Sequence, residues 1–279
     1  MSTHLFHTLG RAAAGGRAVV DNLLQRLPAG AQEAVTTAVK NFAHQPIATG
    51  PTGRLDDAVW RFVVSHRPAG SPGPTADGAS PVAAGTPAPW EMPTAADAFF
   101  TTIHWVAQPG VVVTAGSLWA LGQGVLAWPA IRARRTARTA SDSGRPWWDW
   151  QVTPAQAAAS IMMVVAAQAC STGVKKLVGR ERPPEMFRLA VEHARSFPSG
   201  HMLAAVAACG TLVALRYAGR GEKIPTPLLV GMPAWCVLVG YDRLYMGVHW
   251  LSDLAGGAAI AGAWSAIAWQ VHTALRAKA

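Results

Sequence analysis

Charged residues are scarce in this chain of 279 residues: Asp, Glu, Lys and Arg together make up 14% of it, against roughly 25% of a soluble protein. Hydrophobic residues make up 51%, and there are 12 tryptophans. Cysteine is rare too. Cys170, Cys209 and Cys236 each fall inside an apolar segment, so we interpret them as free thiols used as small hydrophobic residues, not as disulfide or metal ligands. This composition argues against a water-soluble domain.

Acidic residues are outnumbered by basic ones, 15 to 24, which gives a net charge of +9. A basic protein can bind nucleic acid, but here the basic residues lie mostly between apolar segments, as in the cytoplasmic loops of membrane proteins. We therefore expect a lipid bilayer as partner and no nucleic acid. The first 20 residues lack a sustained apolar core, which predicts no cleavable signal peptide.

Five apolar segments approach or exceed the ~20 residues that cross a bilayer, and they predict an all-α, polytopic membrane helical bundle. They are residues 105–131, 151–174, 196–215, 224–241 and 254–275. Alternating crossings place the basic segments 131–144 and 216–225 and the C-terminus on one side, which the positive-inside rule makes cytoplasmic. The three motifs described below then share the extracytoplasmic side.

The N-terminal part lacks a long uncharged stretch. We treat residues 1–54 as an extension in which 19–27 and 31–42 have the apolar spacing of short amphipathic helices. Residues 56–66 predict a short interfacial helix. Residues 67–93, rich in Pro, Gly, Ala, Ser and Thr, predict a flexible loop.

The first motif places Lys175 seven residues before Arg182, so one helix would carry both on the same face. Pro183 follows and would end that helix. Arginine suits bidentate contact with phosphate, and lysine supplies a point charge. Alone, the pair is more typical of side chains that reach from a membrane edge towards water. We interpret Lys176 and Arg180 in that way.

The second motif, Pro-Ser-Gly-His at residues 198–201, opens an apolar segment. Ser199 is a typical N-cap, and backbone amides at a helix start bind anions. Gly200 allows close approach of a phosphate to the backbone, and His201 can protonate a leaving oxygen. An ordinary capped helix with an interfacial histidine is the alternative.

The third motif contains Arg243, His249 and Asp253. The histidine and the carboxylate are four residues apart and can meet on one helical face. A carboxylate bonded to one imidazole nitrogen fixes the tautomer and leaves the other nitrogen free to attack phosphorus. Ionisable residues at a membrane edge are candidates for function, so this motif points to cleavage of a phosphate ester.

In this order and between apolar segments, the three motifs resemble the type 2 phosphatidic acid phosphatase (PAP2) superfamily, whose pattern is Lys-x6-Arg-Pro, Pro-Ser-Gly-His and Ser-Arg-x5-His-x3-Asp. The resemblance covers residues 55–279 and implies a bundle of the PAP2/haloperoxidase type with five to six spanning helices. It implies phosphate binding by Lys175, Arg182, Ser199, Gly200 and Arg243. It also implies that His249 is the nucleophile that forms a phosphohistidine, that Asp253 orients it and that His201 is the acid, with no metal or other cofactor.

The chain departs from the pattern at Asp242, where the family has serine. This carboxylate would either add negative charge near the phosphate or pair with Arg243 and hold it. The membrane members also have six spans, and this sequence predicts five.

The resemblance implies an integral membrane phosphatase acting on a lipid phosphate or diphosphate, such as phosphatidic acid, phosphatidylglycerophosphate or a polyprenyl diphosphate. Transfer of the phosphate to an acceptor other than water is an alternative. A vanadate-dependent haloperoxidase is less well supported, since those relatives are soluble. A scaffold with a vestigial site is disfavoured because every polar motif position is filled. The Ala-, Gly- and Arg-rich composition is typical of a bacterium with GC-rich DNA.

Overall fold

The computed structural model describes residues 51–73, 81–82, 85–136 and 152–277, together with Gln25. Within those ranges the chain is helical and contains no strand, which confirms the predicted all-α class. The seven helices of this part are α1 (Pro51–Ser65), α2 (Ala95–Val106), α3 (Pro109–Thr136), α4 (Pro154–Val178), α5 (Gly200–Tyr217), α6 (Thr226–Tyr245) and α7 (Leu251–Ala277). Two short 3₁₀ helices, Pro89–Glu91 and Glu185–Phe187, lie in the connections.

The N-terminal extension predicted for residues 1–54 lies outside the described residues, apart from Gln25 and the start of α1. The amphipathic helices predicted at 19–27 and 31–42 also lie outside the described residues, again apart from Gln25. The helix predicted at 56–66 is confirmed as the larger part of α1. The loop predicted at 67–93 is described only in part, and it contains the 3₁₀ helix Pro89–Glu91.

Capping residues set the boundaries of α4. Thr153 caps its first turn with a reciprocal contact to Gln156, and Pro154 occupies the first helical position. The helix ends at Gly179, which adopts φ 66°, a conformation that glycine reaches at little cost. Arg182 therefore lies in the loop beyond α4, and the prediction that one helix carries Lys175 and Arg182 on the same face is wrong. Gly179 ends the helix four residues before Pro183, the residue that was predicted to end it.

Three of the described helices are long and apolar enough to cross a membrane: α4, α5 and α7. They coincide with three of the five predicted spans. The other two predicted spans form the helices α3 and α6. Of these, α6 falls below that level of apolarity. The mean hydropathy of α6 is lowered by the charged residues Asp242 and Arg243 in its last turn and by Pro233 inside the helix.

Helix α5 lies at the centre of the bundle, where it contacts α3, α4, α6 and α7. The start of α5 lies close to α7 at Gly257. A β-carbon at that position would lie 2.7 Å from the backbone oxygen of Ser199, so only glycine allows the two helices to meet so closely. Small residues at helix interfaces are typical of membrane bundles. This contact fixes the start of α5 against the first turns of α7.

Helix α1 packs across the same end of the bundle, against α6 and α7. Its buried Trp60 contacts the rings of Phe187 and Trp250. Its opposite face leaves Leu55 and Phe62 exposed. A helix with one buried and one exposed apolar face is suited to the membrane interface.

We expect Gly257→Ala to destabilise the fold by about 1–3 kcal/mol, the usual cost of forcing an extra carbon into a packed interface. The measurement is thermal unfolding in detergent micelles. Gly262→Ala is the matched control, because a β-carbon at Gly262 meets no atom within 4 Å. Equal unfolding temperatures for the two variants would contradict the close approach at Gly257.

Candidate active site

Four helix ends meet at one end of the bundle: the C-terminal ends of α4 and α6 and the N-terminal ends of α5 and α7. All eight residues that the sequence nominates lie at these ends or in the adjoining loops. They are Lys175, Arg182, Ser199, Gly200, His201, Arg243, His249 and Asp253. The structure therefore brings the three motifs together.

The carboxylate of Asp253 is fully buried at the start of α7. Its Oδ1 accepts a hydrogen bond of 2.7 Å from Arg180. Its Oδ2 accepts bonds from the hydroxyl of Ser196 and, at 2.9 Å, from the backbone N–H of Trp250. The same Oδ2 lies 3.3 Å from Nδ1 of His249. The predicted contact of His249 with Asp253 is present, although His249 precedes α7 and does not lie on its helical face.

The imidazole of His249 is held in one tautomer by its two neighbours. Nδ1 faces the carboxylate of Asp253, and Nε2 lies 3.2 Å from Nη1 of Arg182. A guanidinium can only donate, so Nε2 is the nitrogen with the free lone pair. Burial, followed by the charges of Arg182, Lys175 and Arg243, holds the pKa of His249 well below its ordinary value. The ring is therefore neutral, as a nucleophile requires.

Arg182 is fixed by backbone oxygens. Its Nε donates to the carbonyl of Ala194 and its Nη1 to that of Val248, both at 2.7 Å. Lys175 likewise donates to the carbonyl of Arg195 at 2.7 Å. These bonds orient two of the three predicted phosphate-binding cations without neutralising them.

The third cation, Arg243, is completely buried. Its Nε donates to Asp242 at 2.8 Å, and its Nη1 lies 2.8 Å from Nδ1 of His104 and 3.2 Å from Nε2 of His201. Of the two roles considered for Asp242, the structure shows the pairing with Arg243. The carboxylate of Asp242 supplies Arg243 with a counter-charge, which the neutral serine of the family pattern cannot supply.

Glu192 joins the two arginines. Its carboxylate lies 3.3 Å from Nη2 of Arg182 and 3.8 Å from Nη1 of Arg243. Glu192 was not among the predicted site residues, because it lies in a loop and belongs to none of the three motifs. A carboxylate between two guanidinium groups shows that this space favours an anion.

His104, on α2, is a second residue without a motif. It is buried, and its ring stacks on that of His201 with centroids 5.3 Å apart. Burial and then the charge of Arg243 lower its pKa to about 3. Ligand atoms of His104, Glu192 and His201 lie within 4.8 Å of one another, as in a metal site. However, Nη1 of Arg243 contacts all three, so a cation already occupies their shared space.

Arg180 corrects a further prediction. Its position in the sequence predicts a membrane-edge side chain that reaches water. In the structure Arg180 is buried and binds two carboxylates, those of Asp56 and Asp253. The interpretation failed because Asp56 lies 124 positions away in the chain. No local pattern reports such a contact.

Comparison with known families supports the resemblance that the three motifs indicate. Residues 156–277 match the family model described as PAP2 superfamily. The matched segment is 122 residues long, somewhat less than half of the chain. The resemblance inferred from the three motifs is thereby confirmed, and every motif residue lies inside the matched segment.

Two curated relatives of the PAP2 domain are phosphatases. The chain is 29% identical over 171 residues to decaprenylphosphoryl-5-phosphoribose phosphatase of Mycobacterium tuberculosis, covering 58% of this chain and 81% of that protein. It is 28% identical over 119 residues to sphingosine-1-phosphate phosphatase 1 of Rattus norvegicus, covering 40% of this chain. The match spans only 27% of the length of the rat protein.

Among solved structures, the chain is similar to the first transmembrane PAP2 type phosphatidylglycerolphosphate phosphatase from Bacillus subtilis. The TM-score is 0.52 with 16% identity, over 88% of this chain and 94% of the other. At this identity the likeness concerns the fold. Together with the three apolar helices, it identifies the chain as an integral membrane protein.

We expect Glu192→Gln to strengthen binding of inorganic phosphate about fivefold, because the bound anion no longer competes with a carboxylate for Arg182 and Arg243. That factor corresponds to about 1 kcal/mol for one partly exposed ion pair. The measurement is isothermal titration of the purified protein with phosphate. Glu185→Gln, which removes an exposed charge from the preceding 3₁₀ helix, serves as control. Weaker phosphate binding by Glu192→Gln would show that Glu192 supports the cradle.

Proposed function

We propose that this protein is a membrane phosphatase that hydrolyses a lipid phosphate or diphosphate at its phosphate end through a phosphohistidine. The observation that supports this most directly is the environment of His249. One ring nitrogen faces the buried carboxylate of Asp253, and the other carries a lone pair beside a fixed guanidinium. That is the arrangement of an activated nucleophile next to a phosphate-binding group.

In the first step, the substrate phosphate lies among Lys175, Arg182 and Arg243, with the amides at the start of α5 directed at its oxygens. Phosphate oxygens take over the N–H groups of Arg182, which frees Nε2 of His249. The bond from Nε2 to phosphorus forms while the bond from phosphorus to the leaving oxygen breaks. Phosphate oxygens also take over Nη1 of Arg243, which in the free site donates to Nε2 of His201; the freed Nε2 takes up a proton as the charged phosphate binds and gives it to the leaving oxygen, and the dephosphorylated lipid leaves.

In the second step, water attacks the phosphohistidine. His201, now neutral, takes a proton from the water as its oxygen bonds to phosphorus, and the bond from phosphorus to Nε2 breaks. Inorganic phosphate is released, His201 gives up its proton to the departing phosphate or to water as Arg243 turns back to Nε2, and both histidines return to their starting states. Because Nε2 of His201 also faces a guanidinium that would bind the phosphate, both histidines are positioned around the same reacting atom. Neither step needs a metal.

The substrate is proposed to be a lipid on two grounds. The site lies at the ends of helices that are long and apolar enough to cross a membrane, and the two curated relatives are a sphingosine-1-phosphate phosphatase and a decaprenylphosphoryl-5-phosphoribose phosphatase. Sidedness is inferred from charge: the positive-inside rule places the basic segment 216–225 in the cytoplasm. The site at the opposite ends of α5 and α6 is then extracytoplasmic.

We expect His249→Ala to abolish phosphate release, since it removes the nitrogen that forms the proposed covalent intermediate. The assay uses detergent-purified protein in EDTA with four lipids: phosphatidic acid, phosphatidylglycerophosphate, undecaprenyl diphosphate and decaprenylphosphoryl-5-phosphoribose. His193→Ala is the matched control, because His193 is exposed in the nearby loop. Release that survives in His249→Ala would remove the phosphohistidine from the proposal. Loss in EDTA that a divalent metal restores would contradict the metal-free mechanism.

We expect His201→Ala to slow hydrolysis of lipid phosphates about 10²-fold or more, within the usual contribution of a general acid. An aryl phosphate should be affected far less, because its leaving oxygen needs no proton. The measurement is the ratio of kcat for the two substrates in wild type and variant. Equal losses on both substrates would assign His201 to binding instead.

A further inference from the structure

The carboxylate of Asp56 lies on α1, 100 residues before the segment that matches the PAP2 family. It is buried, and its hydrogen bonds within the described residues go to Arg180 and Ser252, beside the active site. Oδ1 accepts the backbone N–H of Ser252 at 2.8 Å. Oδ2 accepts Nη2 of Arg180 at 2.7 Å and the hydroxyl of Ser252 at 2.5 Å.

The start of α7 needs such a partner. The first backbone N–H groups of a helix have no acceptor within the helix, and the residue before α7 is Trp250, whose side chain can only donate. Asp253 satisfies the N–H of Trp250. Asp56 satisfies that of Ser252 from another helix, and so performs the N-cap role that the local sequence leaves open.

Arg180 connects this cap to the proposed nucleophile. Its Nη1 donates to Oδ1 of Asp253, while its Nη2 donates to Asp56. The two ends of one rigid, planar group are thus held by two carboxylates. The guanidinium also lies over the ring of Trp250, 5.8 Å from its centroid. With Oδ1 fixed in this way, Oδ2 of Asp253 is held towards His249, beside the Ser196 hydroxyl and the backbone N–H of Trp250.

We propose that Asp56 is a positioning residue for catalysis, acting through Arg180 on the carboxylate of Asp253 that orients His249. This inference rests on the proposed function. The described contacts of Asp56 include none with the phosphate-binding side chains Lys175, Arg182 and Arg243. Loss of its charge should therefore affect the rate of the chemical step and leave phosphate binding unchanged.

The test is Asp56→Asn, which keeps an oxygen to cap Ser252 and removes the charge that holds Arg180. We expect kcat to fall about tenfold or more, as when an outer partner of a functional group is lost, with KM and the affinity for inorganic phosphate unchanged. Asp57→Asn is the matched control. Its neighbouring carboxylate pairs with the exposed Arg61 on the outer side of α1, so its kcat should equal that of wild type.

A double-mutant cycle separates positioning from general damage. If Asp56 acts through Asp253, adding Asp56→Asn to Asp253→Asn should cost little more than Asp253→Asn alone. A role confined to the stability of α1 would instead multiply the two losses, and that result would overturn the inference. So would an unchanged kcat in Asp56→Asn.

Unchanged affinity for inorganic phosphate certifies that a variant is folded. If Asp56→Asn loses it, Arg180→Lys carries the same test, with a fall in kcat alone expected; loss of phosphate binding in both variants would overturn the proposal. His249→Ala is measured alongside. An active His249→Ala would refute the proposed chemistry itself, whereas an inactive His249→Ala beside a fully active Asp56→Asn would refute only the role of Asp56.

Discussion

The buried carboxylate of Asp253 is the group on which the other contacts of this site depend. It receives Arg180 on one oxygen and Ser196, the backbone of Trp250 and His249 on the other. Leaving a charge buried without partners is very costly, so the loops that bring these partners must close together. Four helix ends are thereby held at one point, and His249 has a fixed orientation before any substrate arrives.

The segment that matches the PAP2 family does not complete this arrangement by itself. Asp56 on α1 and His104 on α2 both precede residue 156. Each reaches a motif element through an arginine, Arg180 in one case and Arg243 in the other. The N-terminal helices are therefore part of the candidate site, and a shortened chain that begins at the family match would expose both arginines.

Local patterns predicted much of what is seen. The apolar segments became helices, Ser199 caps α5, and His249 contacts Asp253. Such features follow from residues a few positions apart, whose geometry is fixed by the helix itself. Arg182 was misplaced because the strength of Gly179 as a helix terminator was overlooked.

Long-range contacts account for what could not be predicted. Arg243 meets His104 across 139 positions, and Arg180 meets Asp56 across 124. The sequence around a lone histidine or aspartate on a helix does not indicate which residue it will contact. That contact is determined only when the helices pack. Glu192 shows the same limit in a loop, where no periodicity exists to indicate which way a side chain points.

The exposed apolar side chains of α1 and α2 bear on how a substrate arrives. Leu55, Phe62 and Phe99 present hydrocarbon beside the end of the bundle that holds the site, as apolar side chains at a membrane interface do. A lipid meets such a site by diffusing within the plane of the bilayer. The encounter rate is then set by the mole fraction of that lipid among its neighbours, not by its amount per volume of water. Under the proposed function, catalysis therefore follows the kinetics of a two-dimensional solution.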